Sequence, residues 1–119
     1  MEENKRQLGK IQEERAAEYL TGLGYEILEK NFRCRLGEID IIAKDQNVIV
    51  FVEVKFRQSF TSGDPLSSVD IKKQKIISRV ALYYLLKSGL GENVPCRFDV
   101  IGITPEEITH VRDAFEYRK

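Results

Sequence analysis

Val48-Ile49-Val50-Phe51-Val52-Glu53-Val54-Lys55 is the stretch on which the fold turns. A run this rich in β-branched and aromatic residues belongs in the middle of a sheet, covered on both faces. Glu53 and Lys55 interrupt it, and period-two alternation puts both on one face beside Phe51. Ionised groups in such a strand are costly unless they are paired or bound to a metal. The preceding segment carries the same exception: Glu38 and Asp40 share a face, while Ile39 and Ile41 point to the other. Asp45-Gln46-Asn47 reads as a tight hairpin connection, so the two segments are antiparallel neighbours. Counting away from that turn brings Asp40 nearly opposite Glu53. Two facing carboxylates repel, and one takes up a proton unless a cation lies between them. A Mg²⁺ ion removes the conflict. A salt-bridge network, with Lys55 neutralising both carboxylates, is the competing reading.

On either side of this hairpin the sequence is punctuated clearly. Leu8, Ile11, Ala16, Tyr19, Leu20 and Leu23 recur at helical steps, and Gly22 and Gly24 end that helix. Strands are expected over Tyr25 to Phe32, Glu38 to Ala43 and Val48 to Phe56. A polar loop, Gln58 to Ser67, contains Gly63-Asp64-Pro65. A second helix starts near Ser68 or Asp70 and runs to about Lys87, with Val69, Ile76, Ile77, Val80, Ala81, Tyr84 and Leu85 on its apolar face. Two short strands follow, Arg97 to Ile103 and Ile108 to Val111, joined by Thr104-Pro105-Glu106-Glu107. The order helix, three strands, helix, two strands predicts an α/β fold with a mixed sheet and helices packed against it.

The chain has 119 residues, 42% of them apolar and 32% charged, which fits one domain over residues 1–119 with a true core. Nineteen basic and nineteen acidic residues sum to zero charge, which argues against coating nucleic acid or a membrane by bulk charge. One histidine (His110) and two cysteines (Cys34, Cys96) cannot assemble a four-ligand structural zinc site. No phosphate-binding glycine loop occurs, and Gly22-Leu23-Gly24 lacks the third glycine of a dinucleotide fingerprint. The charged start, Met1 to Arg6, has no apolar signal core, and Val80 to Leu86 is too short to span a membrane. Free thiols in a reducing cytoplasm are therefore expected, and no membrane partner. Arg97 and Asp99 share a strand face and are candidates to pair with each other.

Asp40, twelve residues, then Glu53-Val54-Lys55 resembles the signature of the PD-(D/E)XK nuclease superfamily, whose fold is restriction-endonuclease-like. The strings Asn31 to Ala43, Val50 to Lys55 and Cys96 to Val100 resemble more closely the YraN family, a group of uncharacterised bacterial proteins thought to be related to Holliday-junction resolvases. The similarity runs from about Leu8 to Phe115. It implies a three-layer core around a five-stranded mixed sheet. It also implies metal-binding carboxylates on Asp40 and Glu53, a catalytic lysine at Lys55 and a first-helix glutamate at Glu13. Gln12 stands where the family usually has glycine, and Ile39 replaces the proline of the nominal motif.

The implied chemistry is metal-dependent hydrolysis of nucleic-acid phosphodiesters. Asp40, Glu53 and the Val54 carbonyl would hold Mg²⁺ or Mn²⁺, an all-oxygen set that suits a hard cation. Lys55 would orient the attacking water and stabilise charge in the transition state. Lys30, Arg33 and Arg35 form one basic group, and Lys72, Lys73, Lys75, Arg79 and Lys87 another. Arg33, Arg35 and Lys73 are the candidate phosphate contacts, with Lys73 carried by the resemblance. DNA is the partner it implies, and a homodimer the arrangement that resolvases use on a four-way junction. A non-catalytic nucleic-acid-binding or protein-interaction module on the same fold is the alternative.

Overall fold

A computed structural model describes residues 2–60 and 64–119, with side chains described from Arg6 onward. Met1 and the part of the Gln58–Ser67 loop at residues 61–63, Gly63 included, lie outside the described residues. The elements are α1 (Glu2–Gly22), β1 (Glu26–Cys34), β2 (Gly37–Asp45), β3 (Val48–Phe56), α2 (Ile71–Lys87), β4 (Cys96–Ile103) and β5 (Ile108–Phe115). They form one mixed sheet in the order β1-β2-β3-β4-β5, parallel between β3 and β4 and antiparallel elsewhere. This is the expected α-β-β-β-α-β-β arrangement, with β3 in the centre. The parallel pair needs a crossover, and α2 supplies it.

Each helix covers one face. Ala16, Ala17 and Leu20 of α1 pack on Ile41, Ala43, Val50, Val52, Ile101 and Ile103. Ile77, Val80, Ala81 and Leu85 of α2 pack on Ile39, Ile42, Ile49, Phe51, Phe98 and Val100. An aromatic row crosses the α2 side: Tyr84 meets Phe32 and Phe51 edge-on, and Phe98 lies between Phe51 and Phe115 at ring distances of 5.6 and 4.9 Å. Such rows add orientation preferences to the burial of area.

Several local expectations need correction. Leu8, Ile11 and Leu23 are exposed, and α1 docks through Gln12, Ala16, Ala17 and Leu20 instead. The small alanines let the second half of the helix pack closely on the sheet. The Gln58–Ser67 loop ends in a short 3-10 helix, Pro65–Ser68, whose Leu66 N–H bonds the Asp64 side chain. β5 continues to Phe115, beyond the expected Val111. A register shift opposite Asp99 lets it do so, because Asp99 accepts the Asp113 N–H at 3.0 Å and carries the pairing past the irregularity. Ile39 and Ile41 do not share a face: Ile39 packs under α2 and Ile41 under α1.

Candidate active site

The β2–β3 hairpin turns on Gln46 and Asn47, with Gln46 in the left-handed region at φ 57°. Its ladder runs from Asp45 opposite Val48 to Ile41 opposite Val52, so one further step brings Asp40 to Glu53. At that step the side chain takes over from the main chain: the Val54 N–H donates to Asp40 Oδ2 at 2.8 Å. The break in alternation between Ile39 and Ile41 falls at the same place. Asp40 and Glu53 are hydrogen-bonded through their carboxyl groups.

Glu53 is 5% exposed and carries two ammonium groups: Lys73 Nζ lies 3.5 Å and Lys55 Nζ 3.6 Å from its Oε2. Asp40 is pushed far above the ordinary carboxylate range, to about 9. Burial is the main cause, followed by the hydrogen bond with Glu53 and that carboxylate's charge; the Val54 N–H opposes them. A proton on Asp40 relieves the repulsion between the two carboxyl groups, and the two lysines bring two positive charges to Glu53. Of the salt-bridge reading, the Lys55 pairing with Glu53 is formed, joined by Lys73, and the Asp40 carboxyl faces Glu53.

Glu13 joins from α1. A carboxylate oxygen from each of Glu13, Glu38 and Asp40 lies within 4.8 Å of the others. Burial raises the Glu13 carboxyl above its usual range, and a hydrogen bond from Asn31 opposes that shift. Asn31 sits in β1 at φ 53°, a conformation that asparagine tolerates better than most residues. Gln12, where the resemblance implies glycine, is buried and accepts from Arg15 Nη1 at 2.9 Å, so it does not lift this turn off the sheet.

The basic candidates separate. Lys73 is at the carboxylates. Arg33 is highly exposed yet bonded through Nε to Glu38 Oε2 at 2.6 Å, at the rim of the acidic group. Arg35 is exposed in the β1–β2 turn, and Lys72, Lys75, Arg79 and Lys87 are exposed along α2. Sequence reasoning gave Glu38 no role and treated Asn31 as part of a string; their convergence on Glu13 and Asp40 arises only when α1 is laid across β1 and β2.

The family model described as "Uncharacterised protein family UPF0102" matches residues 12–103. The chain belongs to the UPF0102 family. This is the YraN group that the motifs resemble. A UPF0102 protein of Lachnoclostridium phytofermentans is 48% identical over 113 residues, covering 95% of this chain and 96% of the relative. UPF0102 proteins of Thermodesulfovibrio yellowstonii (51% over 109 residues, 92% and 96% covered) and Clostridioides difficile (46% over 114 residues, 94% and 99% covered) are similar to it along almost all of their length. The UPF0102 match spans Glu13, Asp40, Glu53, Lys55 and Lys73. No helix among the described residues is long and apolar enough to cross a membrane.

Proposed function

We propose that this chain is a metal-dependent endonuclease that hydrolyses phosphodiesters of nucleic acid, with DNA as the favoured substrate and the cytoplasm as its compartment. The observation that carries the reading is the Asp40–Glu53 carboxyl pair, set across a hairpin with Glu53 buried and Asp40 half-buried, and bordered by Lys55 and Lys73. Two carboxylates forced together hold a proton in the absence of another cation, and a divalent ion is the natural replacement for it. The donors at hand are all oxygens, which fits Mg²⁺ or Mn²⁺ better than zinc. Asp40, Glu53 and the Val54 carbonyl would hold the ion, and Glu13 and Glu38 add carboxylates beside Asp40. When bound, the ion would polarise the phosphate and lower the pKa of a nearby water.

The chain's own residues have distinct tasks in this reading. Asp40 is fixed by the Val54 N–H, so its second oxygen keeps a defined direction. Lys55 lies two residues from Glu53 on the same strand, and its ammonium would orient the attacking water and offset negative charge building on the phosphate. Arg35 and the exposed lysines of α2 would bind flanking phosphates without reading base identity. Arg33 would do so only after exchanging Glu38 for phosphate.

Linear, flapped and four-way-junction DNA and single-stranded RNA, each incubated with Mg²⁺ and with Mn²⁺, test the proposal against Lys55→Ala. Wild type is expected to cut at least one DNA, leaving 5′-phosphate ends, while Lys55→Ala cuts none. Equal cutting by both proteins would remove Lys55 from the chemistry. A binding module on the same fold predicts retention of DNA on a gel with no cutting by either protein.

A further inference from the structure

Both ammonium groups on Glu53 approach one oxygen, Oε2, at 3.5 and 3.6 Å. A single opposite charge neutralises a buried carboxylate. Two lysines together bring the charge of a divalent cation to that oxygen. They reach it by different routes. Lys55 extends from β3 itself and is 21% exposed, whereas Lys73 reaches across from the first turn of α2 and is 37% exposed. The Lys73 backbone is fixed, since its N–H donates to the N-cap Asp70 Oδ1 at 2.8 Å, but its side chain has four rotatable bonds and an open path to solvent.

On the reading that the carboxyl pair holds a divalent cation, we propose that Lys73 occupies the cation's place on Glu53 and is displaced when the ion binds, which frees its ammonium for the substrate phosphate. Lys55 stays in place because its strand position fixes it beside Glu53. Cation and phosphodiester then favour the same state of Lys73, so each strengthens binding of the other. Lys72, one residue earlier and exposed, carries the same charge without an ion pair to Glu53, and it separates displacement from a general field effect.

Mn²⁺ binding measured by calorimetry at low salt tests this in wild type, Lys73→Met, Lys73→Arg, Lys72→Met and Asp40→Asn. Lys73→Met is expected to bind Mn²⁺ about threefold or more tightly than wild type, in keeping with a partly exposed ion pair. Lys73→Arg and Lys72→Met should stay near wild type, and added KCl should narrow the Lys73→Met difference. Should Lys73→Met fail to melt cooperatively, Lys73→Gln takes its place. Unchanged or weaker Mn²⁺ binding on loss of Lys73, or an equal gain in Lys72→Met, overturns the displacement. If Asp40→Asn binds Mn²⁺ as wild type does, the ion is not held by the carboxyl pair, and both this inference and the nuclease reading fall. If Asp40→Asn loses binding while Lys73→Met is unchanged, only the role of Lys73 falls.

Discussion

Asp40 carries the strongest consequence at the scale of single residues. Its carboxyl keeps a proton to about pH 9 in the fold, because burial and the neighbouring Glu53 disfavour its charge. The unfolded chain releases that proton near pH 4. The contribution of Asp40 to stability is therefore full below pH 4, falls as pH rises, and is gone above about 9. The slope is at most about 1.4 kcal/mol per pH unit. Without divalent ions, urea unfolding of wild type at pH 5, 7 and 8.5 is expected to show this decline, and Asp40→Asn should flatten it. A wild-type curve as flat as that of the variant would mean that Asp40 is ionised. Much of this residue chemistry was legible in the sequence: the charges in an apolar strand and a short turn were enough to pair Asp40 with Glu53. The convergence of Glu38 and Asn31 on Glu13, and the ion pair of Lys73 (a candidate phosphate contact) with Glu53, were not, since each depends on how a separate element is laid against the hairpin.

Among the elements, β4 and β5 are held by a second polar network, centred on Asp99. Asp99 has 0% exposure and binds Arg97 Nε at 3.0 Å, His110 Nε2 at 2.7 Å and the Asp113 N–H at 3.0 Å. Arg97 also reaches Asp45 and the Tyr25 hydroxyl, and His110 meets the Tyr19 hydroxyl, so α1, β2, β4 and β5 are tied together. Burial opposes the charge of Asp99, but His110, the Asp113 N–H and Arg97 hold its carboxyl below the usual range. Its contribution is present above about pH 4 and is lost as pH falls through the folded value, the reverse of Asp40. Asp99→Ala is expected to cost about 3 kcal/mol, read by urea unfolding at pH 7, because it strands the half-buried Arg97 guanidinium and the buried His110 imidazole. A cost below about 1 kcal/mol would show that these partners find water or one another. The Arg97–Asp99 pair was visible from strand alternation. The extension of β5 was not, because a register shift breaks the period that sequence reading relies on.

Gly102 shows a second constraint at this scale. It lies opposite Lys55, and a Cβ there would stand 2.3 Å from Pro65 Cγ and 2.9 Å from Phe60 Cε2. Gly102→Ala must push the Pro65 segment off the sheet, at about 1–3 kcal/mol in thermal unfolding. The exposure of Leu8 and Ile11 is the converse case, in which helical period was right and the extent of the covering sheet was not encoded locally.

For the whole molecule, the zero net charge conceals a division. Glu13, Glu38, Asp40 and Glu53 gather at one place, while Lys72, Lys75, Arg79 and Lys87 line exposed positions of α2. On the proposed nuclease reading, a neutral total predicts modest DNA affinity that depends on salt, since phosphate contacts release counterions. Replacing Lys72, Lys75 and Arg79 together by glutamine should weaken DNA binding about tenfold and flatten its salt dependence, as read by fluorescence anisotropy. An unchanged slope would place the nucleic acid elsewhere. The overall fold was the most legible feature, because hydrophobic period and turn residues agree from α1 to β5.

The most direct test of the central claim is single-turnover cleavage of end-labelled DNA by wild type, Asp40→Asn and Lys55→Ala at matched Mn²⁺ concentrations and confirmed folding. Cleavage by wild type, with a loss of about 100-fold or more in both variants, is the predicted result. Cleavage that persists undiminished in Asp40→Asn and Lys55→Ala would contradict it.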